Sequence, residues 1–319
     1  MFKQIYVKIM STQKYGKMNL RKALDYAIRD YECKQIDVTS GYKIEGVEKP
    51  YYNYLSNDAW EDFKESMSEE HKKQYDDADG GELKKTKGRW GEYPPKMASF
   101  GSSSRFVYNL SKEKVGFVFE KRLPTKVGPR PANLDGYLKL NDTDILVEAK
   151  CGEIYNSHNK DVSKSYIKIY EELKKLFLDF SYINHPSKDK DSEDKNSFSC
   201  SFTFKGKPVV HFDIKQLISH FLGITAGILE GEVAANIKFV YLIFNPRTDT
   251  CFDNEKIKSY KEKIESVYDD TIKEIDEEGM EQFFKAIMKI QSVRLKREKY
   301  YSFEFHLADQ NNYLEMLMK

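Results

Sequence analysis

The stretch NLDGYLKLNDTDILVEAKC, residues 133–151, holds two short apolar runs with three charged residues set into them. Asp135 opens the first run, and Glu148 and Lys150 close the second. Both runs have the length and side-chain types of strands, and Asn141, Asp142 and Thr143 between them are turn formers. The segment therefore reads as an antiparallel hairpin. Side chains alternate along a strand, which puts Glu148 and Lys150 on one face and Ala149 on the other. Antiparallel pairing can then bring Asp135 beside Glu148.

Two adjacent carboxylates repel unless a proton or a cation lies between them. With the carbonyl of Ala149, Asp135 and Glu148 offer oxygen ligands suited to Mg²⁺, with Mn²⁺ as a substitute. Lys150 beside them can orient or help deprotonate a metal-bound water and stabilise charge on a phosphate. That is chemistry for hydrolysing a phosphodiester. The tripeptide alone selects nothing, because acid-x-Lys also begins at Glu32, Asp62, Glu70, Glu82, Glu172, Glu193 and Asp213. Those seven lie mostly in polar or helical surroundings that a solvated face explains. Only Glu148-Ala149-Lys150 follows an apolar β-run and has an aspartate one hairpin earlier.

Outward from the hairpin, RFVYNL (105–110) and VGFVFEKRL (115–123) read as two further strands around a Ser-Lys-Glu-Lys turn, giving a meander of three or four strands. Residues 161–183 read as one amphipathic helix and 184–197 as a solvated loop. SFSCSFTF (197–204) alternates like a strand, 211–229 is an apolar helix, and IKFVYLIFN (237–245) is a buried strand. A long charged helix is expected over about 254–292, as scaffold or a homodimer surface, before a last strand in YYSFEFHLA. Upstream, Leu20, Leu24, Tyr26 and Ile28 repeat at helical spacing, and the chain to about 100 reads as helices and loops. The expected architecture is α/β (α+β): a mixed central sheet flanked by helices, with helical additions. Residues 1–95 form a mostly helical region packed on a domain at 96–319, which carries an insertion at about 152–210.

Composition narrows the function classes. At 40% hydrophobic residues a sizeable core can be buried, and 52 basic against 51 acidic residues neither announce nor exclude a nucleic-acid partner. Cys33, Cys151, Cys200 and Cys251 form no C-x-x-C pair, so neither a zinc ribbon nor a disulfide framework is expected. No apolar run has the length of a signal peptide or a membrane span, and the chain reads as cytoplasmic, without a membrane partner or small-molecule cofactor.

The order Asp, then Glu-x-Lys after a hydrophobic strand, resembles the PD-(D/E)xK nuclease superfamily, whose core is a restriction-endonuclease-like αβββαβ fold. Four blocks in order are similar to a bacterial restriction-endonuclease group: PPKMASFGSSSRFVYNL, FEKRLPTKVGPRPANLDGYL, VEAKCGEIY and FDIKQLISHFLG. They span about 93–245, roughly half the chain. The resemblance implies a divalent-metal-dependent DNA endonuclease, a restriction or defence enzyme, in which Asp135 and Glu148 bind the metal and Lys150 assists the water. Leu134 stands where the superfamily's name has proline; that proline does no chemistry. A catalytically silent nuclease-fold module that binds nucleic acid or protein is the alternative, and a structural acid–lysine bridge in an unrelated α+β protein is a third.

Further candidates divide between site and scaffold. Glu120 is either the upstream acid that superfamily members add to the metal site or a surface partner of Lys121 or Arg122. Gln216 and His220, four apart, share a helix face; the resemblance makes Gln216 a site residue contacting metal water or DNA, whereas His220 reads as a core histidine. Glu153 either adds a ligand or caps the strand exit. Lys121, Arg122, Lys126 and Arg130, and separately Lys84, Lys85, Lys87 and Arg89 beside Trp90, are backbone-phosphate candidates or ordinary surface charge.

Overall fold

A computed structural model of the chain describes residues 19–32, 41–45, 51, 53–78, 81–88, 91–155, 160–185, 197–247 and 255–317. Contacts divide it into two units, Met1–Arg105 with Pro246–Ser266, and Phe106–Asn245 with Val267–Lys319. The first unit thus extends past residue 95 and takes back a segment from far along the chain.

In the first unit, α1 (Leu20–Glu32) buries Ala23, Leu24, Ala27 and Ile28. Helices α2 (Asn57–Ser66) and α3 (Glu69–Asp77) each begin at a serine. Ser56 Oγ accepts from Ala59 N at 3.2 Å and Ser68 Oγ from His71 N at 3.1 Å, satisfying amides that the first helical turn leaves open. A small hairpin follows, β1 (Thr86–Gly88) with β2 (Gly91–Tyr93). Arg105 is the polar hub: its guanidinium donates to Glu32 at 2.7 Å and to the carbonyls of Met97 and Ala98. The short helix Glu255–Lys258 packs on α1.

The second unit opens with the end of α4 (Ser103–Ser111) and holds a five-stranded mixed sheet. Strands β3 (Val118–Leu123), β4 (Ala132–Leu140) and β5 (Thr143–Lys150) form the antiparallel meander. The β4–β5 turn is Asn141-Asp142, with Asn141 in the left-handed region (φ 53°) that asparagine tolerates. The insertion builds a second, antiparallel sheet: β6 (Lys160–Ser163), β7 (Phe180–His185), β8 (Ser197–Phe204) and β9 (Lys207–Pro208), around α5 (Ile167–Leu176). The chain then returns through α6 (Ile214–Glu230) to β10 (Asn236–Ile243), parallel to β5. Helices α7 (Lys261–Glu274) and α8 (Glu277–Leu295) lead to β11 (Ser302–Ala308), parallel to β10, and α9 (Tyr313–Met316) follows.

One face of the large sheet is covered by α6 and α8, through Phe221 on Phe239 and Phe303, and through Phe284, whose ring stacks 3.7 Å from that of Phe303. Gly223 brings α6 close to the sheet: a Cβ there would sit 2.9 Å from Ala132 Cβ and 3.0 Å from the Leu123 carbonyl oxygen. From α4, Phe106 packs on Phe244 and Tyr108 on Phe119. The result is a mixed α/β fold with a five-stranded mixed sheet flanked by helices.

Several expectations are corrected. RFVYNL is helix, not strand: Ser102 Oγ accepts from Arg105 N at 3.2 Å, and residues 104–108 are buried all round, which hides a helical period. Within 161–183 only Ile167–Leu176 is α-helix; its flanks pair with β8. The long helix over 254–292 is broken, because Asp276 Oδ2 accepts from Gly279 N at 3.1 Å and starts a new helix. Of the expected loop 184–197, residues 186–196 lie outside the described residues. Among the described residues no helix is long and apolar enough to cross a membrane.

Candidate active site at the end of strand β5

Glu148 and Lys150 lie two apart at the end of β5, so both point to the face covered by α6. Asp213 starts α6 by accepting from Gln216 N at 3.0 Å, which places Gln216 in the first turn and His220 one turn on. Lys150 Nζ donates to Glu148 Oε1 and, at 2.8 Å, to Gln216 Oε1. His220 Nδ1 lies 3.3 Å from Glu148 Oε2, without the alignment of a hydrogen bond. Glu148 and His220 are each 2% exposed and Lys150 5%, whereas Asp135 and Gln216 are half-buried.

Asp135 sits where the β4–β5 ladder ends and the β3–β4 ladder skips a pair. The β4–β5 pairs end at Gly136↔Val147, and there Asp135 Oδ2 accepts from Ala149 N at 2.7 Å in place of a backbone partner. The β3–β4 pairs run Phe119↔Gly136 and then Lys121↔Leu134, so Glu120 stands opposite Asp135 with neither in the ladder. Glu120 has φ 54°, a left-handed backbone that a non-glycine residue seldom adopts inside a strand. Such strain persists where the surrounding structure imposes it, often at functional sites.

The charges of the cluster hold each other. Burial disfavours the Lys150 ammonium, but Glu148, then Tyr241, Glu153 and Asp135, raise its pKa further than burial lowers it. Lys150 therefore stays an ammonium in the metal-free fold. Burial, then the Glu148 charge, pushes Asp135 well above the usual carboxylate range, against Lys150 and the Ala149 N–H. Burial, then Lys150, lowers His220 to about 3 despite a hydrogen bond to the Asn133 backbone. His220 is thus neutral at ordinary pH.

The remaining sequence candidates divide. Glu153 Oε2 folds back to accept from Cys151 N at 3.0 Å, at the strand exit. Lys121 Nζ lies 4.9 Å from the Tyr137 ring centroid, and Lys126 pairs with Glu230 at 2.9 Å. Arg122 and Arg130 are exposed. In the first unit Lys84 pairs with Asp76 at 2.8 Å and Lys85 and Lys87 are exposed, while Arg89 and Trp90 lie outside the described residues. Sequence reasoning missed Tyr241, which the β10–β5 register sets beside Glu148; its one signal is a hydroxyl in an otherwise apolar run.

Among the described residues, no group of three or more His, Cys, Asp or Glu side chains is arranged to hold a metal ion. The donor chemistry nonetheless fits a hard divalent cation: Asp135 and Glu148 bring two carboxylates to neighbouring strands, near enough for the Glu148 charge to raise Asp135, and the Ala149 carbonyl adds a third oxygen. Comparison with protein-family models, with curated proteins and with solved structures finds no match.

Proposed function

We propose that the protein is a divalent-metal-dependent endonuclease that hydrolyses DNA phosphodiester bonds, a restriction or defence enzyme with a restriction-endonuclease-like core. The order α4, β3, β4, β5, α6, β10 follows the αβββαβ pattern, with the second sheet inserted between β5 and α6. The observation that carries the reading is the meeting of Asp135, Glu148, Lys150 and Gln216, from two strands and a helix, at one sheet end.

Asp135 and Glu148, with the Ala149 carbonyl, would hold Mg²⁺ or Mn²⁺. When bound, the cation acidifies a coordinated water and offsets charge building on the phosphate. Lys150, held as an ammonium, donates hydrogen bonds to the phosphate oxygens or to the departing oxygen. Gln216 fixes the Lys150 side chain from the helix side. Asp135 is partly exposed to solvent, whereas His220 and Glu148 are buried.

The test is incubation of supercoiled plasmid with Mg²⁺ or Mn²⁺. The wild-type chain is expected to nick or linearise it, and Asp135→Ala or Lys150→Ala to lose at least ~100-fold in rate. If both variants, shown to be folded, cut at the wild-type rate, the assignment fails. DNA retained without cleavage in either metal points instead to a catalytically silent nuclease-fold module.

A further inference from the structure

The site contains a polar atom that the acid and lysine chemistry does not use. Tyr241 pairs in register with Glu148 on the parallel neighbour β5, so phenol and carboxylate project to the same face. The side chain is 1% exposed. Its ring is set edge-on to Phe212 at 5.1 Å and stacked with Phe305 at 6.3 Å, which fixes where the hydroxyl points. Among the described residues that hydroxyl has no hydrogen-bond partner. Buried tyrosines usually find one, because an unsatisfied donor forfeits the hydration it had in water.

The surroundings separate Tyr241 from an ordinary core tyrosine. Lys150, Glu148, Glu153 and Asp135 all act on it electrostatically. Tyr170, also buried with an unpartnered hydroxyl, feels only Cys200, Tyr166 and Tyr182 and sits among Phe180, Phe202 and Tyr182. One unpartnered phenol is enclosed by aromatic packing; the other belongs to the charged cluster.

We propose that Tyr241 is a catalytic residue of this site, donating its O–H to an oxygen that enters with the reaction: a water carried by the divalent cation or a non-bridging oxygen of the scissile phosphate. The inference rests on the nuclease reading above. A buried donor held by two rings needs no reorganisation when its acceptor arrives.

Tyr241→Phe removes the oxygen and leaves the ring. In the metal-free protein it is expected to keep or raise Tm, because an unpartnered buried hydroxyl is gone. Mn²⁺ binding is measured by calorimetry without DNA, and plasmid cleavage is followed with kcat and KM separated. If the acceptor is the metal's water, Mn²⁺ affinity falls about 10-fold, the worth of one hydrogen bond. If it is the phosphate oxygen, Mn²⁺ affinity holds and kcat falls about 10- to 100-fold with KM retained. A wild-type chain that binds Mn²⁺ and cuts, with Tyr241→Phe equal to it in affinity, kcat and KM, overturns this inference alone. A wild-type chain that neither binds Mn²⁺ nor cuts overturns the nuclease reading, and this inference with it.

Discussion

Lys150 Nζ donates to Gln216 Oε1 at 2.8 Å across 66 positions of sequence, and the same ammonium is bonded to Glu148. One cation thus joins the end of β5 to the first turn of α6. Removing it would leave Glu148 buried beside a neutral histidine. Lys150→Met is expected to lower metal-free stability by about 3–5 kcal/mol, the range for breaking a buried pair from one side. The double variant Glu148→Gln/Lys150→Met should recover most of that loss. Urea unfolding at neutral pH of the four species decides it, and a loss in the double variant equal to the sum of the two single losses would show no coupling.

Asp135 gives the fold a pH dependence of its own. Its pKa is raised above the ordinary 3.8 by burial and then by Glu148, so above that pH the folded state binds more protons than the unfolded chain. This contribution is complete below pH 3.8 and is lost as pH rises through the raised value. Asp135→Asn can still accept from Ala149 N but does not titrate. Its stability advantage over the wild type should widen as pH rises from about 4 through the raised value in chelator-treated samples. Parallel curves for the two proteins would refute the raised carboxyl.

His220 works on the acid side. With its pKa lowered from 6.5 to about 3, it stays neutral in the fold while the unfolded chain takes up a proton. Stability is therefore present above pH 6.5 and drains away as pH falls toward 3. His220→Gln, which retains a donor for the Asn133 backbone, should flatten this limb of the unfolding profile. An unchanged acid limb would mean that the imidazole titrates normally.

Glu120 stores backbone strain opposite Asp135. A left-handed non-glycine residue carries about 1–2 kcal/mol, and glycine gives back roughly 0.5–1 kcal/mol in unfolded-state entropy. Glu120→Gly is thus expected to gain up to about 1.5 kcal/mol in stability while DNA cleavage drops. Thermal unfolding and plasmid nicking read the two effects separately. A variant that is both less stable and equally active would contradict the account.

The β4–β5 hairpin was legible because its information is local: two strand-like runs, a two-residue turn, and acids placed at the strand ends. That locality also made the meeting of Asp135, Glu148 and Lys150 readable in advance. It did not disclose that Asp135 would replace a ladder partner for Ala149 N, since that depends on where the β4–β5 ladder stops. The helix over RFVYNL was hidden because burial on every side erases periodicity, leaving only the Ser102 cap as a cue. The strands flanking α5 were misread because their pairing with β8 is non-local. Tyr241 reaches Glu148 only through a parallel register set across an intervening helix, which no short window of sequence contains.

The first unit is discontinuous: Met1–Arg105 is joined by Pro246–Ser266. During synthesis, the early residues must leave the ribosome and wait while all of β3 to β10 is made before their missing segment emerges. Assembly of the two units is therefore interleaved rather than sequential, and no single truncation point separates them. A chain shortened to begin at Phe106 would strand the Glu255–Lys258 helix without the α1 surface it packs on.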